Sequence, residues 1–419
     1  MDPELQEKFH KFQKWFIAFR DPRDIYQNHT SFLIGELAFY FFAILTFRHA
    51  WRHGGRFLYL WFATIAHGLT TECVSYFVPD IDNFWHAQGM IMLLGKRLPM
   101  YVVIVYPVFI YTAAVSVYRL RLPFWAEPFA NGLAVVIFDI PFDIMGIKSL
   151  WWSWHDTDPN IYDRHYWVPW TSYFFHMSFA SSLNMLIHGS RKLITGSEHR
   201  TESTGFFKEM LCVIITGLFS FPLGAVQFII LYHSLHDNLH IHTEVCVLLL
   251  VAVYVMIVWS ADRNPSENAR KGRGKRNWLD EIGVVMTLHF IIYILLAVYS
   301  KPENIRAVGL HEPTGDCNAT SPVITAMGQV LSKKTYLCTT DYDEGYFDWH
   351  CLKNGKPPKD GLEWYTICGT PFPNHAEYTI VVSAFSLLGL FIYWQMLAKS
   401  GKDFYPSHSH HNAKKLKKN

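Results

Sequence analysis

Long apolar runs decide what this chain can fold into. A helix needs about 20 apolar residues to cross the hydrocarbon core of a bilayer. Nine stretches approach that length: 31–47, 57–78, 98–118, 124–146, 167–188, 208–231, 243–260, 279–299 and 377–397. Backbone in lipid has no water to bond, so such runs fold as helices. Of 419 residues, 50% are hydrophobic and only 17% charged, and the charges crowd between the runs. The expected fold is an all-α polytopic membrane protein with about nine transmembrane helices and one disulfide-containing luminal loop. A net charge of +2, with no Gly-rich phosphate loop or zinc-finger spacing, gives no nucleic acid partner.

Five segments follow: an N-terminal amphipathic segment (1–30), an eight-helix bundle (31–300), a Cys-rich loop (301–375), a ninth transmembrane helix (376–397) and a basic tail (398–419). Asp2, Glu4, Glu7, Lys8 and Lys11 break any early apolar run, so a signal peptide is not expected. Phe9, Phe12, Phe16 and Phe19 recur at helical spacing. Residues 4–20 therefore read as an amphipathic helix, lying on the membrane surface or packed on the bundle.

Lys and Arg gather in alternate loops: Arg48, Arg52 and Arg56; Arg119 and Arg121; Arg191, Lys192, Arg200 and Lys208; and the run Arg263 to Arg276. The positive-inside rule makes these cytosolic. The N-terminus is then luminal and the C-terminus cytosolic, although five basic residues in the N-terminal segment argue the other way. Cys317, Cys338, Cys351 and Cys368 share one loop with the sequon Asn318-Ala-Thr320. That set points to an oxidising lumen, two disulfides of open pairing and a glycan on Asn318. Asn28-His-Thr30 lies too near the first span for use. Cys73, Cys212 and Cys246 fall in spans and read as small buried hydrophobes. The chain ends Lys415-Leu-Lys417-Lys-Asn419, which resembles a dilysine retrieval signal of the endoplasmic reticulum; a basic tail near anionic lipid is the alternative.

Ionisable groups inside spans are costly and point to function. They are Glu36, His67, Glu72, Asp139, Asp143, His176 and His289. Asp139 and Asp143 share one helix face by their spacing. The loop after the fourth span interleaves Trp151-Trp-Ser-Trp154 with His155, Asp156 and Asp158, then Asp163, Arg164 and His165. It brings acid, base and cation to the mouth of a span already carrying two aspartates, as a catalytic set or a structural network. His233, His236 and His240 form a luminal cluster, and the helical spacing of the last two suits one metal ion. His49 and His53 repeat that spacing on the cytosolic side. The two pairs cannot share a di-iron centre of the membrane desaturase type, and His-x-x-His-His is lacking.

Between the second and fifth spans, roughly residues 60–180, the chain resembles the integral membrane carotenoid-biosynthesis family that includes carotenoid 1,2-hydratases. The matching positions are Glu72, Pro141 with Asp143, Trp152-Ser-Trp154, and Tyr166-Trp-Val-Pro169-Trp-Thr-Ser172-Tyr. Trp167 stands where that family has Gly and Ser172 where it has Asn; the family's Thr-Gly after the Glu is missing. The resemblance implies acid–base work on an isoprenoid or other apolar lipid. Asp143 and Asp156 would protonate carbon and position water, with Glu72 supporting. Tryptophans would wall a cationic intermediate.

Three functional classes follow. The first is a lipid-modifying enzyme with a luminal-side cavity. The second is a non-catalytic receptor, chaperone or assembly subunit that meets protein partners through the luminal loop. The third is a proton- or ion-coupled transporter, for which the halves show no inverted repeat.

Overall fold

A computed structural model describes residues 3–78, 81–199, 201–262 and 279–399. Arg200, the basic run Arg263 to Arg276 and the tail from residue 400, with its lysines, His408, His410 and His411, lie outside the described residues.

Two short helices open the chain, α1 (Pro3–Phe16) and α2 (Pro22–Asn28). Nine helices of 19 residues or more follow among the described residues: α3 (Thr30–His53), α4 (Arg56–Phe77), α5 (Met100–Tyr118), α6 (Glu127–Lys148), α7 (Trp170–Thr195), α8 (Phe206–Leu239), α9 (Thr243–Asp262), α10 (Glu281–Tyr299) and α11 (His375–Lys399). Seven are long and apolar enough to cross a membrane: α3, α5, α6, α8, α9, α10 and α11. This is the make-up of a multi-pass α-helical membrane protein. Nine such helices were expected; α4 and α7 are long enough but more polar. They carry His67, Thr71 and Glu72, and Ser172, His176 and Asn184, on faces turned into the protein.

Contacts between the helices are close where glycine faces a neighbour. A Cβ on Gly132 of α6 would meet the Met177 carbonyl of α7 at 2.6 Å, and one on Gly217 of α8 would meet Ala66 Cβ of α4 at 2.5 Å. Prolines distort the helices locally. Pro107 opens a π turn, Pro107–Tyr111, inside α5, as expected where a missing N–H breaks the ladder. A second π turn, Phe228–His233, lets α8 run on to Leu239, well past its expected end at 231.

Successive long helices alternate in direction, so the bundle has two ends. At one end, the C-termini of α3, α5 and α7 meet the N-termini of α4, α8 and α10 through ion pairs, those of Arg56, Arg119 and Arg191 buried and that of Arg52 half exposed. Arg56 Nε and Arg191 Nε each donate to Glu209, at 3.1 Å. Arg52 Nη1 lies 2.5 Å from Glu281 Oε1, and Arg119 pairs with Asp280. Partners on different elements fix the register of the helix ends, and the pairing offsets the cost of burying charge. His49 and His53 belong to this end.

A β-rich cap covers the other end. Ile17–Phe19 pairs with Ile91–Leu93, so α1 ends at Phe16 and the chain leaves it as a strand rather than continuing helical to residue 20. Phe84–His86 pairs with Trp152–Trp154. The Cys-rich loop is a small subdomain in which Arg306–Leu310, Trp364–Gly369 and Phe347–Asp348 form one sheet and Thr320–Ile324 pairs with Val330–Lys334 in a hairpin. Disulfides join Cys317 to Cys338 and Cys351 to Cys368. Asn318 is exposed beside the first bridge.

Candidate functional site

A cavity of about 490 Å³ opens between α4, α5, α6, α7 and α8 beneath the cap. Helical spacing builds its walls. His67, Thr71 and Ser75 stand one turn apart on α4, and Ser172, His176 and Phe179 on α7. Tyr101, Tyr106, Phe109, Phe142, Phe175 and Phe228, with aliphatic neighbours such as Val102, Ile110 and Val135, make most of the rest apolar. Val323–Ala326, the tip region of the Cys-rich hairpin, closes one side. A large, mainly apolar pocket with a few converging polar groups is the usual form of a small-molecule site.

Glu72 and Asp143 face the cavity from different helices. Glu72 Oε1 accepts a 2.6 Å hydrogen bond from the Tyr106 hydroxyl. Asp143 Oδ2 accepts one of 2.7 Å from Ser172 Oγ. Asp139 sits one turn before Asp143, fully buried, and neither of its oxygens has a hydrogen-bond partner. Its nearest counter-group is His176, with Nε2 3.4 Å from Oδ1. One ligand atom each of Asp139, Asp143 and His176 lies within 4.8 Å of the others.

Glu36, His67 and His289 each have a partner of their own away from this group. Glu36 accepts from the Met90 N–H and from the Tyr40 hydroxyl. His67 Nδ1 is 2.8 Å from Ser220 Oγ, and His289 Nε2 is 2.8 Å from the Phe138 carbonyl, beside Pro141.

The Trp-rich loop divides. Asp158 lines the cavity, where Asn83 Nδ2 donates to it. His155, Asp156, Arg164 and His165 are not in the cavity wall. Asp156 accepts from Lys334 Nζ at 3.0 Å and from the Asp343 N–H. Its own N–H donates to Glu344, whose other oxygen is 3.1 Å from His155 Nδ1. Arg164 Nε donates to the Ile161 carbonyl. His165 stacks on Trp170 and bonds Tyr173. These four residues dock the Cys-rich subdomain and order the loop. Asp143 thus shares the cavity wall with Glu72, while Asp156 lies outside it.

Burial governs the charge of this dock. It pushes the His155 imidazole down to about 3 and the Glu312 carboxyl up to about 8, and it raises Glu344 well above the carboxylate range. His86, on the cavity wall, is also pushed down by burial to about 3, and neither ring nitrogen has a hydrogen-bond partner.

The cluster of His233, His236 and His240 does not converge on one point. His233 and His236 both turn Nδ1 toward Asp237, at 2.9 and 3.1 Å. His240 sits past the helix end in a left-handed turn at φ 52°. Among the described residues, two three-ligand groups converge: Asp139 with Asp143 and His176, and Asp348 with His350 and Cys368. The second contains a disulfide sulfur.

Sequence reading missed His86 and Glu344 as members of this region. His86 is a lone histidine in the connection between α4 and α5, and Glu344 is 189 positions from its partner His155, so no local spacing marks either.

The family model described as Domain of unknown function (DUF7802) matches residues 6–398. No curated protein and no solved structure gives a significant match.

Proposed function

The chain belongs to the DUF7802 family, and we propose that it is an enzyme of the endoplasmic reticulum membrane that modifies an apolar lipid or isoprenoid. The proposal includes nine spans, with α4 and α7 as the two polar ones, a luminal cap and a cytosolic C-terminus. Arginines at the ion-paired end and disulfides with an exposed sequon at the other support that orientation.

The observation that carries the reading is the convergence of Glu72, Asp143 and His176 on one aromatic cavity. The aromatic walls suit a hydrocarbon chain. Two carboxyl groups on facing helices can divide the work of acid and base on a double bond or headgroup. The carotenoid-hydratase resemblance supports the same chemistry, since its Glu72 and Asp143 both stand in this wall.

Untargeted lipid mass spectrometry tests it. Membranes would come from cells lacking the protein, expressing wild type, or expressing Glu72→Gln with Asp143→Asn. A lipid present with wild type and reduced roughly 10²- to 10⁴-fold with the double variant is expected. Identical lipid profiles at equal protein levels would overturn an enzymatic role and favour transport or assembly.

A further inference from the structure

We propose that Asp139, Asp143 and His176 form a site for one divalent transition-metal ion, set in the cavity wall. The inference rests on the cavity being the functional site.

Three observations converge. First, one donor atom from each residue lies within 4.8 Å of the others, a spacing from which small rotamer changes bring all three onto one ion. Second, Asp139 is fully buried, and among the described residues the only groups its oxygens approach are Asp143, a second carboxyl, and His176. An ionised carboxylate in that position is costly unless it is paired or coordinated. His176 approaches only one oxygen, at 3.4 Å, which is long for a charge-assisted hydrogen bond. Third, the set is supported from outside. Ser172 Oγ donates to Asp143 Oδ2 at 2.7 Å and so orients the carboxylate, the role outer groups play around bound metals.

The donor set indicates the kind of ion. Two carboxylate oxygens and one imidazole nitrogen suit zinc, manganese or iron(II) rather than the all-oxygen environment of calcium. Three protein ligands would leave coordination positions open toward the cavity, because Asp143 and His176 themselves line it. That openness is characteristic of reactive rather than structural sites. The ion narrows the two-carboxyl reading above: Asp143 becomes a ligand, and Glu72, across the cavity with Tyr106, is left as the group that handles protons.

The test uses full-length protein purified in detergent. It would be stripped with EDTA, dialysed against Co²⁺ or Zn²⁺, and assayed by elemental analysis and Co²⁺ visible absorption. About one ion per chain is expected for wild type, and less than a tenth of that for Asp139→Asn and for His176→Gln. Asp139→Asn replaces the carboxylate with a neutral isostere of the same size, so it should fold; a monodisperse gel-filtration peak checks this. Ser172→Ala should retain the ion but weaken its binding roughly 10- to 100-fold. His236→Gln with His240→Gln should bind like wild type. Absence of metal from folded wild type, or loss of metal in the His236 and His240 variant but not in Asp139→Asn, would overturn the site. Metal content is read without substrate, so this result is separable from the lipid experiment. A metal-free protein whose lipid product still depends on Glu72 and Asp143 would retain the acid–base function and lose only the ion.

Discussion

Single residues in the cap carry its response to pH. Glu312 is almost fully buried, near Thr157, Lys333, Glu344 and Asp156, and its carboxyl is pushed up to about 8. An unfolded chain releases that proton near 4.5, while the folded one holds it. Stability is thus fully present below pH 4.5 and is lost as pH rises toward 8. His155 pulls the other way. Folded, it stays neutral down to about 3, so its contribution is present above about 6.5 and is lost as pH falls from there. Glu312→Gln should abolish the loss on the alkaline side and stabilise the cap at pH 8 by a few kcal/mol, while changing little at pH 4.5. Thermal unfolding followed by tryptophan fluorescence at both pH values would check this; parallel pH profiles for the two proteins would refute it.

Close approach controls the helices. Gly132→Ala sets a methyl 2.6 Å from the Met177 carbonyl and 2.9 Å from the Tyr254 ring. Backbone cannot give way as a side chain can, so α6 and α7 must separate, at a cost of about 1–3 kcal/mol. A lowered melting temperature for Gly132→Ala, against an unchanged or slightly raised one for Gly189→Ala, a helix position where nothing lies within 4 Å of the added carbon, is the expected pair. In the cap, the bridges close loops of 21 and 17 residues, and each should contribute about 3 kcal/mol to the subdomain. Cys351→Ser with Cys368→Ser should loosen hydrogen exchange in Trp364–Gly369 and leave α3 to α11 protected.

Legibility in the sequence follows from the same physics. Seven helices were plain from their apolar runs, because lipid demands length and apolarity together. The strands of the cap were not, since Phe84–His86 and Trp152–Trp154 are only three residues each and exist because they pair with each other. Asp139 and Asp143 were legible as one face of a helix. Asp156 was legible as part of a polar loop, but its ion pair with Lys334, 178 positions away, has no local signature. His176 was visible as a costly polar residue, but its place beside Asp139 comes from helix packing that no local pattern encodes.

At the scale of the whole molecule, the two ends of the bundle differ in kind. One is cross-linked by arginine–carboxylate pairs, the other by disulfides and short sheets. If the cap is luminal, Asn318 should carry a glycan. Endoglycosidase should shift wild type on a gel and leave Asn318→Gln unmoved. A sequon moved to the 201–205 loop, at the ion-paired end, should gain none. A shift in that loop variant alone would invert the proposed orientation.

The hairpin whose Val323–Ala326 segment closes the cavity is tied at its base by the Cys317–Cys338 bridge. Reducing that bridge should therefore free one wall of the cavity while leaving the helices that make the other walls in place. Hydrogen exchange that rises in Thr320–Lys334 and not in α4 to α8 on reduction is the expected result.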